Sequence, residues 1–375
     1  MTDLLPLSIL TGFLGSGKTT LLNRLLPQPA LARTAVIINE FGEVALDHLL
    51  IARSEEDVLT LDSGCLCCTV RWDLVSTLDE LWDKRERGEV TRFERVVIET
   101  TGLADPAPIL HTLISDPKLA RRFRLDGVIV TVDAVNGLST LESHPEAVKQ
   151  VAVADRLVLT KADLAPAAKG GIPADLEARL RALNPAAPIL PVDEAAADGG
   201  RLFDCGLWSA STKTADVRRW LQEEAYREED GHHHAHHDHD HHDHDHDHGE
   251  HAGHDADRHG ERIRTYSIVR DQPISGAAFS LFLELLIANR GADLLRVKGI
   301  LNLAERPGTP AVIHGVQHLF HPVVWLDDWP DADQRSRIVF ITRDVPKSWV
   351  EHLLDVLTAP RQEAAAADAP AEASR

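Results

Sequence analysis

The chain has 375 residues, enough for two domains with cores of their own. Its 39 Lys and Arg against 59 Asp and Glu leave a net charge of −20 at pH 7, which argues against nucleic acid or an anionic membrane surface as a partner and favours cations. Four cysteines cannot build a disulfide scaffold, no apolar run reaches the ~18 residues of a membrane span, and the opening Met-Thr-Asp-Leu-Leu-Pro has no basic n-region, so a cytoplasmic chain with reduced thiols is expected.

From residue 4 to about 207, short β-rich apolar runs alternate with helical stretches. Strands are predicted at 7–10, 35–38, 95–98, 127–132, 156–159 and 189–192, with a helix at 20–26. Near-continuous apolar runs of this length belong to strands buried on both faces, which predicts an α/β unit over residues 1–214 with a mostly parallel sheet and helices on both sides. A polar connecting helix at 215–229 then leads into 231–260, where fourteen histidines alternate with Asp and nothing can form a core. Together, 215–261 reads as a linker. A small α+β unit follows over 262–358, with strands at 262–270, 294–303, 311–315, 318–326 and 338–342 and helices at 275–289 and 347–357. Residues 359–375 are an Ala, Glu, Asp and Pro tail with nothing to pack.

The first motif is Gly12-Phe-Leu-Gly15-Ser16-Gly17-Lys18-Thr19, a P-loop pattern placed between a strand and a helix. Loop and helix N–H groups suit phosphate oxygens, Lys18 suits the outer phosphates, and the Thr19 hydroxyl suits Mg²⁺, with Thr20 beside it. A dinucleotide-binding loop would want a third glycine where Thr20 stands. The strand 95–98 delivers Glu99, expected to hold the same Mg²⁺ through water, and Gly102 follows as a γ-phosphate sensor. Leu103 stands where many small GTPases carry a water-orienting Gln, so hydrolysis should be slow; Asp105 is an alternative orienting group or a turn former before Pro106. After the strand 156–159, Thr160-Lys161-Ala162-Asp163 resembles the guanine motif Asn-Lys-x-Asp, with Asp163 accepting two N–H donors that adenine lacks. Thr160 in place of Asn leaves an ATPase or kinase open as an alternative.

Cys65, Cys67 and Cys68 crowd into a Gly-bracketed loop between Asn39-Glu40-Phe41-Gly42-Glu43 and Glu99. Thiolates select soft or borderline ions such as Zn²⁺, and three of them leave one tetrahedral position for Glu40, Glu43, a water or a partner protein. Core packing and a redox pair are the competing explanations, whereas the solitary Cys205 reads as core. The histidine run must bind some divalent metal, whether as a store or incidentally as a linker, and a metal buffer is therefore a rival function. His314, His318 and His321 offer a second metal site if 314 and 318 share a strand face, against ordinary surface or core histidines.

Thr11 to Thr20, Asn39 to Glu43, Gly64 to Cys68, Glu99-Thr-Thr-Gly-Leu-Ala-Asp-Pro106 and Thr160 to Asp163 together resemble the CobW family of P-loop GTPases, relatives of the nickel metallochaperones of hydrogenase and urease. Arg296 to Asn302, His314 to His318 and Val339 to Arg343 resemble that family's C-terminal domain. The resemblance implies a cytoplasmic GTPase that uses GTP and Mg²⁺, binds Zn²⁺ or Co²⁺ through Cys65, Cys67 and Cys68, and delivers it to a client metalloprotein, with a homodimer as one assembly open to it.

Overall fold

Strand β1 (Leu5–Gly12) occupies the middle of a seven-stranded sheet in this computed structural model, which describes residues 4–38, 49–51, 70–164, 172–203, 205 and 263–359. The 39–43 segment, the cysteine loop, the 215–229 helix, the histidine run and the tail lie outside the described residues. The other strands are β2 (Thr34–Ile38), β3 (Leu49–Ile51), β4 (Arg95–Glu99), β5 (Phe123–Asp133), β6 (Arg156–Thr160) and β7 (Ile189–Pro191), in the order β3-β2-β4-β1-β5-β6-β7. All neighbours run parallel except β2 with β3.

Helices α1 (Lys18–Leu25), α2 (Val70–Glu86), α3 (Ala107–Ser115), α4 (Gly137–Ser143), α5 (Pro145–Val153), α6 (Ala174–Leu183), α7 (Val192–Ala197) and α8 (Gly199–Phe203) connect these strands. Side chains alternate along each strand, so Ile9, Ile98, Val130 and Leu157 meet α2, α3, α5 and α6, while Leu10, Val97, Ile129 and Val158 meet α1, α7 and α8. Each fully buried leucine in these two layers stabilises the fold by roughly 1.5–3 kcal/mol relative to an exposed one. Strands covered on both sides explain the unbroken apolar runs of the sequence.

The second sheet is antiparallel. Its elements are β8 (Ile263–Arg270), α9 (Gly276–Arg290), β9 (Leu294–Leu301), β10 (Ala311–Val316), β11 (Leu319–Phe320), β12 (Val324–Trp325), β13 (Ser336–Arg343) and α10 (Lys347–Thr358). The order is β11-β10-β9-β13-β8, with β12 beside β10. One face, with Ile268, Val297, Ile313 and Phe340, packs on Phe279, Phe282 and Leu286 of α9 and on Val350 and Leu354 of α10. The opposite face meets the first unit, where Leu295 and Ile341 pack on Ala152 and the Thr265 hydroxyl lies 3.4 Å from the Leu183 carbonyl.

Two expectations for this region are corrected. The run 318–326 is two short strands, because β10 reverses through Gln317 and His318, with Gln317 at φ 52, and Pro322 has no N–H for a ladder. His314 and His318 consequently do not share a strand face: His318 sits in the turn, and it is His321 that pairs with His314, its N–H donating to the His314 carbonyl at 2.9 Å. No helix among the described residues is long and apolar enough to cross a membrane.

Candidate functional site

The carboxyl ends of parallel strands are where an open α/β sheet receives ligands, and Glu99, Thr131, Asp133 and Thr160 lie at those ends of this sheet. Gly12 closes β1 at φ 142, where an added Cβ would fall 2.3 Å from the Thr131 hydroxyl and 2.5 Å from its carbonyl, so no other residue fits. Gly15 and Gly17 take left-handed φ values of 72 and 87, and Gly17 hands the chain directly into α1. The start of α1 therefore follows directly on the loop, the arrangement in which a helix N-terminus receives an anion. Helix α1 begins at Lys18, two residues before the expected start, because it is the glycine that releases the turn.

The loop is fastened from beneath by hydroxyls. Ser16 and Thr131 share a hydrogen bond of 2.6 Å, and the Ser16 N–H donates to the Phe13 carbonyl at 3.1 Å. Thr160 donates its hydroxyl to the Ser16 carbonyl at 2.7 Å and comes within 3.2 Å of the Val132 carbonyl. A threonine at this position thus ties the loop after β6 to the phosphate loop. The Lys18 ammonium donates to the carbonyls of Gly12 at 2.9 Å and Phe13 at 3.3 Å, which holds the positive charge against the loop.

Thr19 Oγ1 donates to Glu99 Oε1 at 2.6 Å, with Glu99 buried at the end of β4. Two hard oxygen donors converge there, which is the donor chemistry Mg²⁺ requires. Beyond Glu99, the Thr100 hydroxyl donates to that of Thr11 at 2.7 Å, and Gly102 lies so close to the loop that a Cβ would approach the Leu14 nitrogen to 2.5 Å. Thr101 and Gly102 are buried, but Leu103 is 54% exposed, so packing of the Leu103 side chain does little to hold this turn. Its carbonyls are held instead by the Gln150 carboxamide of α5, which donates to Gly102 at 3.2 Å and to Ala104 at 3.0 Å. Asp105 accepts the N–H of Ala107 at 3.0 Å at the start of α3 and lies 3.7 Å from the Lys149 ammonium, the behaviour of a turn-forming carboxylate.

On the other side, Lys161 takes φ 56 and donates to Asp133 Oδ2 at 2.8 Å. Burial alone would raise the Asp133 pKa, but bonds from Lys161, the Asn136 side chain and the N–H groups of Val135 and Asn136 outweigh it and hold the carboxyl below its usual value. Asp163 is exposed in the single turn Ala162–Leu164, and Thr20 is exposed on α1. Thr131, Asp133 and Gln150 were not anticipated from the motifs. The first two close β5 at its carboxyl end, a position that marks ligand sites in such sheets, whereas Gln150 carries no signal in its neighbourhood.

Cys65, Cys67, Cys68, Glu40 and Glu43 lie outside the described residues. Their flanks are defined: β2 ends at Ile38, in register with Glu99 of β4, and α2 begins at Val70. Among the described residues no three His, Cys, Asp or Glu side chains gather into a metal site, so the one considered around His314, His318 and His321 is not formed. Cys205 is buried, and desolvation together with the Asp126 charge pushes its thiol well above the usual range, which makes it packing rather than a ligand.

Residues 6–191 match the family model of the CobW/HypB/UreG nucleotide-binding domain, and residues 263–358 match that of the cobalamin synthesis protein CobW C-terminal domain. The chain is 33% identical over 343 residues to the zinc chaperone YjiA of Escherichia coli, covering 92% of this chain and 95% of that one. It is also 39% identical over 156 residues to the zinc chaperone CobW of Pseudomonas aeruginosa, covering 39% and 40%. The crystal structure of the Zn(II)-bound YjiA GTPase superposes with a TM-score of 0.63 at 28% identity, covering 95% of this chain and 99% of that one.

Proposed function

The chain belongs to the CobW/HypB/UreG family, and from that membership we propose that it is a GTP-hydrolysing metal chaperone which binds Zn²⁺, or Co²⁺, and passes it to a client metalloprotein under control of nucleotide state. Supporting the metal are the relatives named as zinc chaperones and the Zn(II)-bound form of a structural neighbour. In this reading Gly12, Gly15, Ser16 and Gly17 cradle the phosphates, and Lys18 exchanges two loop carbonyls for phosphate oxygens. Thr19 and Glu99 would hold Mg²⁺, which supplies neutralisation of charge on the outer phosphates. Gly102 turns its N–H toward the terminal phosphate, and Asp163 reads guanine beside Thr160 and Lys161. Leu103 brings no polar group to an attacking water, which is consistent with slow turnover.

Cys65, Cys67 and Cys68, completed by Glu40 or Glu43, take the cargo ion. The observation that carries the coupling is one of register: Thr19 bonds directly to Glu99, and Glu99 is the β4 partner of Ile38, the last residue before the 39–43 segment. Nucleotide at the loop and the chain leading to the thiols therefore meet at one residue, Glu99, the first through its carboxylate and the second through its strand register. We assign residues 1–214 to the GTPase unit, 215–261 to the linker and 262–358 to the C-terminal unit, as the extents of the two sheets suggest. The test is GTP turnover against titrated Zn²⁺ and Co²⁺, repeated with Cys65, Cys67 and Cys68 each replaced by Ser. Turnover should respond to metal in the wild type and lose that response in the variants; an identical response in all four proteins would refute the assignment.

A further inference from the structure

We infer that Gln150 is a positioning residue for GTP hydrolysis: through the carbonyls of Gly102 and Ala104 it sets the phosphate-facing turn, and through α5 it ties that turn to the C-terminal unit. The inference rests on the GTPase reading above. Gln150 is 1% exposed, and its Nε2 reaches both carbonyls, at 3.2 and 3.0 Å. Residues 101–104 form a turn closed by the Ala104 N–H on the Thr101 carbonyl at 3.2 Å, with Leu103 projecting outward. The Thr100 hydroxyl reaches the Thr101 carbonyl at 3.2 Å and Gly102 closely approaches Leu14, while Gln150 is the buried side chain that reaches the carbonyls of Gly102 and Ala104.

That side chain is spent unevenly. Its donor serves two acceptors, while its own Oε1 is buried with no donor among the described residues. A buried acceptor without a partner is costly, so the bonded arrangement is not the only one this carboxamide could favour. A turn that rotates to offer an N–H would relieve it.

Helix α5 is gripped at both ends. At its start the His144 ring stacks on Phe13 of the phosphate loop, 4.4 Å between centroids. One position before Gln150, Lys149 faces Asp105. Three residues beyond Gln150, less than one helical turn, the Val153 carbonyl accepts Arg296 Nη1 of β9 at 2.6 Å. The next residue but one, Asp155, pairs with both Arg296 and Lys298. Asn184 adds a cap, donating to the carbonyls of Val151 at 2.8 Å and Ala154 at 2.9 Å. A displacement of the turn is thus delivered to a short, rigid helix whose far end is bolted to the second sheet.

The experiment uses the full chain with Gln150→Leu, which keeps the volume and removes the donor. Affinities for a non-hydrolysable GTP analogue and for GDP are measured by calorimetry, with kcat and KM for GTP alongside. Only the triphosphate engages Gly102, so analogue affinity and kcat should each fall roughly tenfold, as loss of a buried hydrogen bond implies, while GDP affinity stays within about twofold. If Gln150→Leu fails to fold, Gln150→Glu, which faces two carbonyls with acceptors alone, should show the same split. Equal weakening of GDP and analogue would mean a merely structural role and overturn the inference, as would no change in either. A wild-type chain that binds neither nucleotide would overturn the GTPase reading itself; one that binds both, with an unaltered ratio in the variant, would overturn only the role of Gln150.

Discussion

The phosphate-loop edge of the first sheet and the face where the second sheet docks on it hold their polar groups in opposite ways. At the loop edge, glycines with left-handed backbone and neutral hydroxyls fix a concavity, and the Lys18 ammonium there donates to loop carbonyls. At the docking face, Asp155 is buried beneath Arg296 and Lys298, and its second oxygen accepts the Val128 N–H at 3.0 Å. The Lys18 charge of the first region rests on neutral carbonyls; the charges of the second are committed to one another. The difference teaches where motion can occur, because neutral hydroxyl contacts of about 1 kcal/mol can be remade during a catalytic cycle, whereas breaking a buried ion pair costs several times more. The second sheet should therefore travel with α5 and β6 as one body.

The largest expected effect lies at the docking face. Asp155→Ala would take the carboxylate from the buried Arg296 guanidinium and the part-buried Lys298 ammonium and should cost about 3–5 kcal/mol, read as a lowered midpoint in denaturant unfolding. A loss below about 1 kcal/mol would break the contrast. Burial alone would raise the Asp155 pKa, but the charges of Arg296 and Lys298 and the Val128 N–H hold it below the usual carboxylate range. A carboxyl depressed in the fold stabilises above its unfolded value, near 3.9, and that contribution is lost as pH falls through the folded value. Unfolding followed below about pH 4 should accordingly show a proton-linked loss of stability that Asp155→Asn lacks.

Next in size is Glu99→Gln, which keeps the shape at the end of β4 but removes the charge beside Thr19. It should lower kcat for GTP by roughly a hundredfold while leaving the unfolding midpoint nearly unchanged, the reverse of Asp155→Ala. Thr160→Val sharpens the comparison at the small end. It deprives the Ser16 carbonyl of its donor, for about 1 kcal/mol of stability and a severalfold loss of GTP affinity. The preference for GTP over ATP should survive, since the carboxylate of Asp163 is assigned that choice; reversal of the preference in side-by-side turnover would overturn it.

The same contrast explains what could be read from the chain alone. Gly12, Gly17, Lys18 and Thr19 are legible because left-handed backbone, close approach and a charge at fixed spacing leave few residue choices, and β1, β2, β4, β5 and β6 are legible because burial on both faces demands unbroken apolar runs, whereas the three-residue β3 is not expected from the sequence. Asp155 with Arg296, 141 residues apart, is invisible, since nothing local marks which charges will be buried together. Gln150 looks like any polar helical residue until the turn at Gly102 is laid against it. The 318–326 run misleads because apolar periodicity does not register a reversal that turns on the backbone of Gln317. Asp105 followed by Pro106 signals a turn as strongly as chemistry, and the carboxylate binds the Ala107 N–H.

The central claim is that nucleotide state sets metal affinity through Glu99 and the chain leading from Ile38. It is tested most directly by measuring Zn²⁺ affinity of the full chain with a GTP analogue and Mg²⁺, and again with GDP and Mg²⁺. The account predicts tighter binding in the analogue state, by roughly 5–150-fold. Equal affinity in the two states would contradict it.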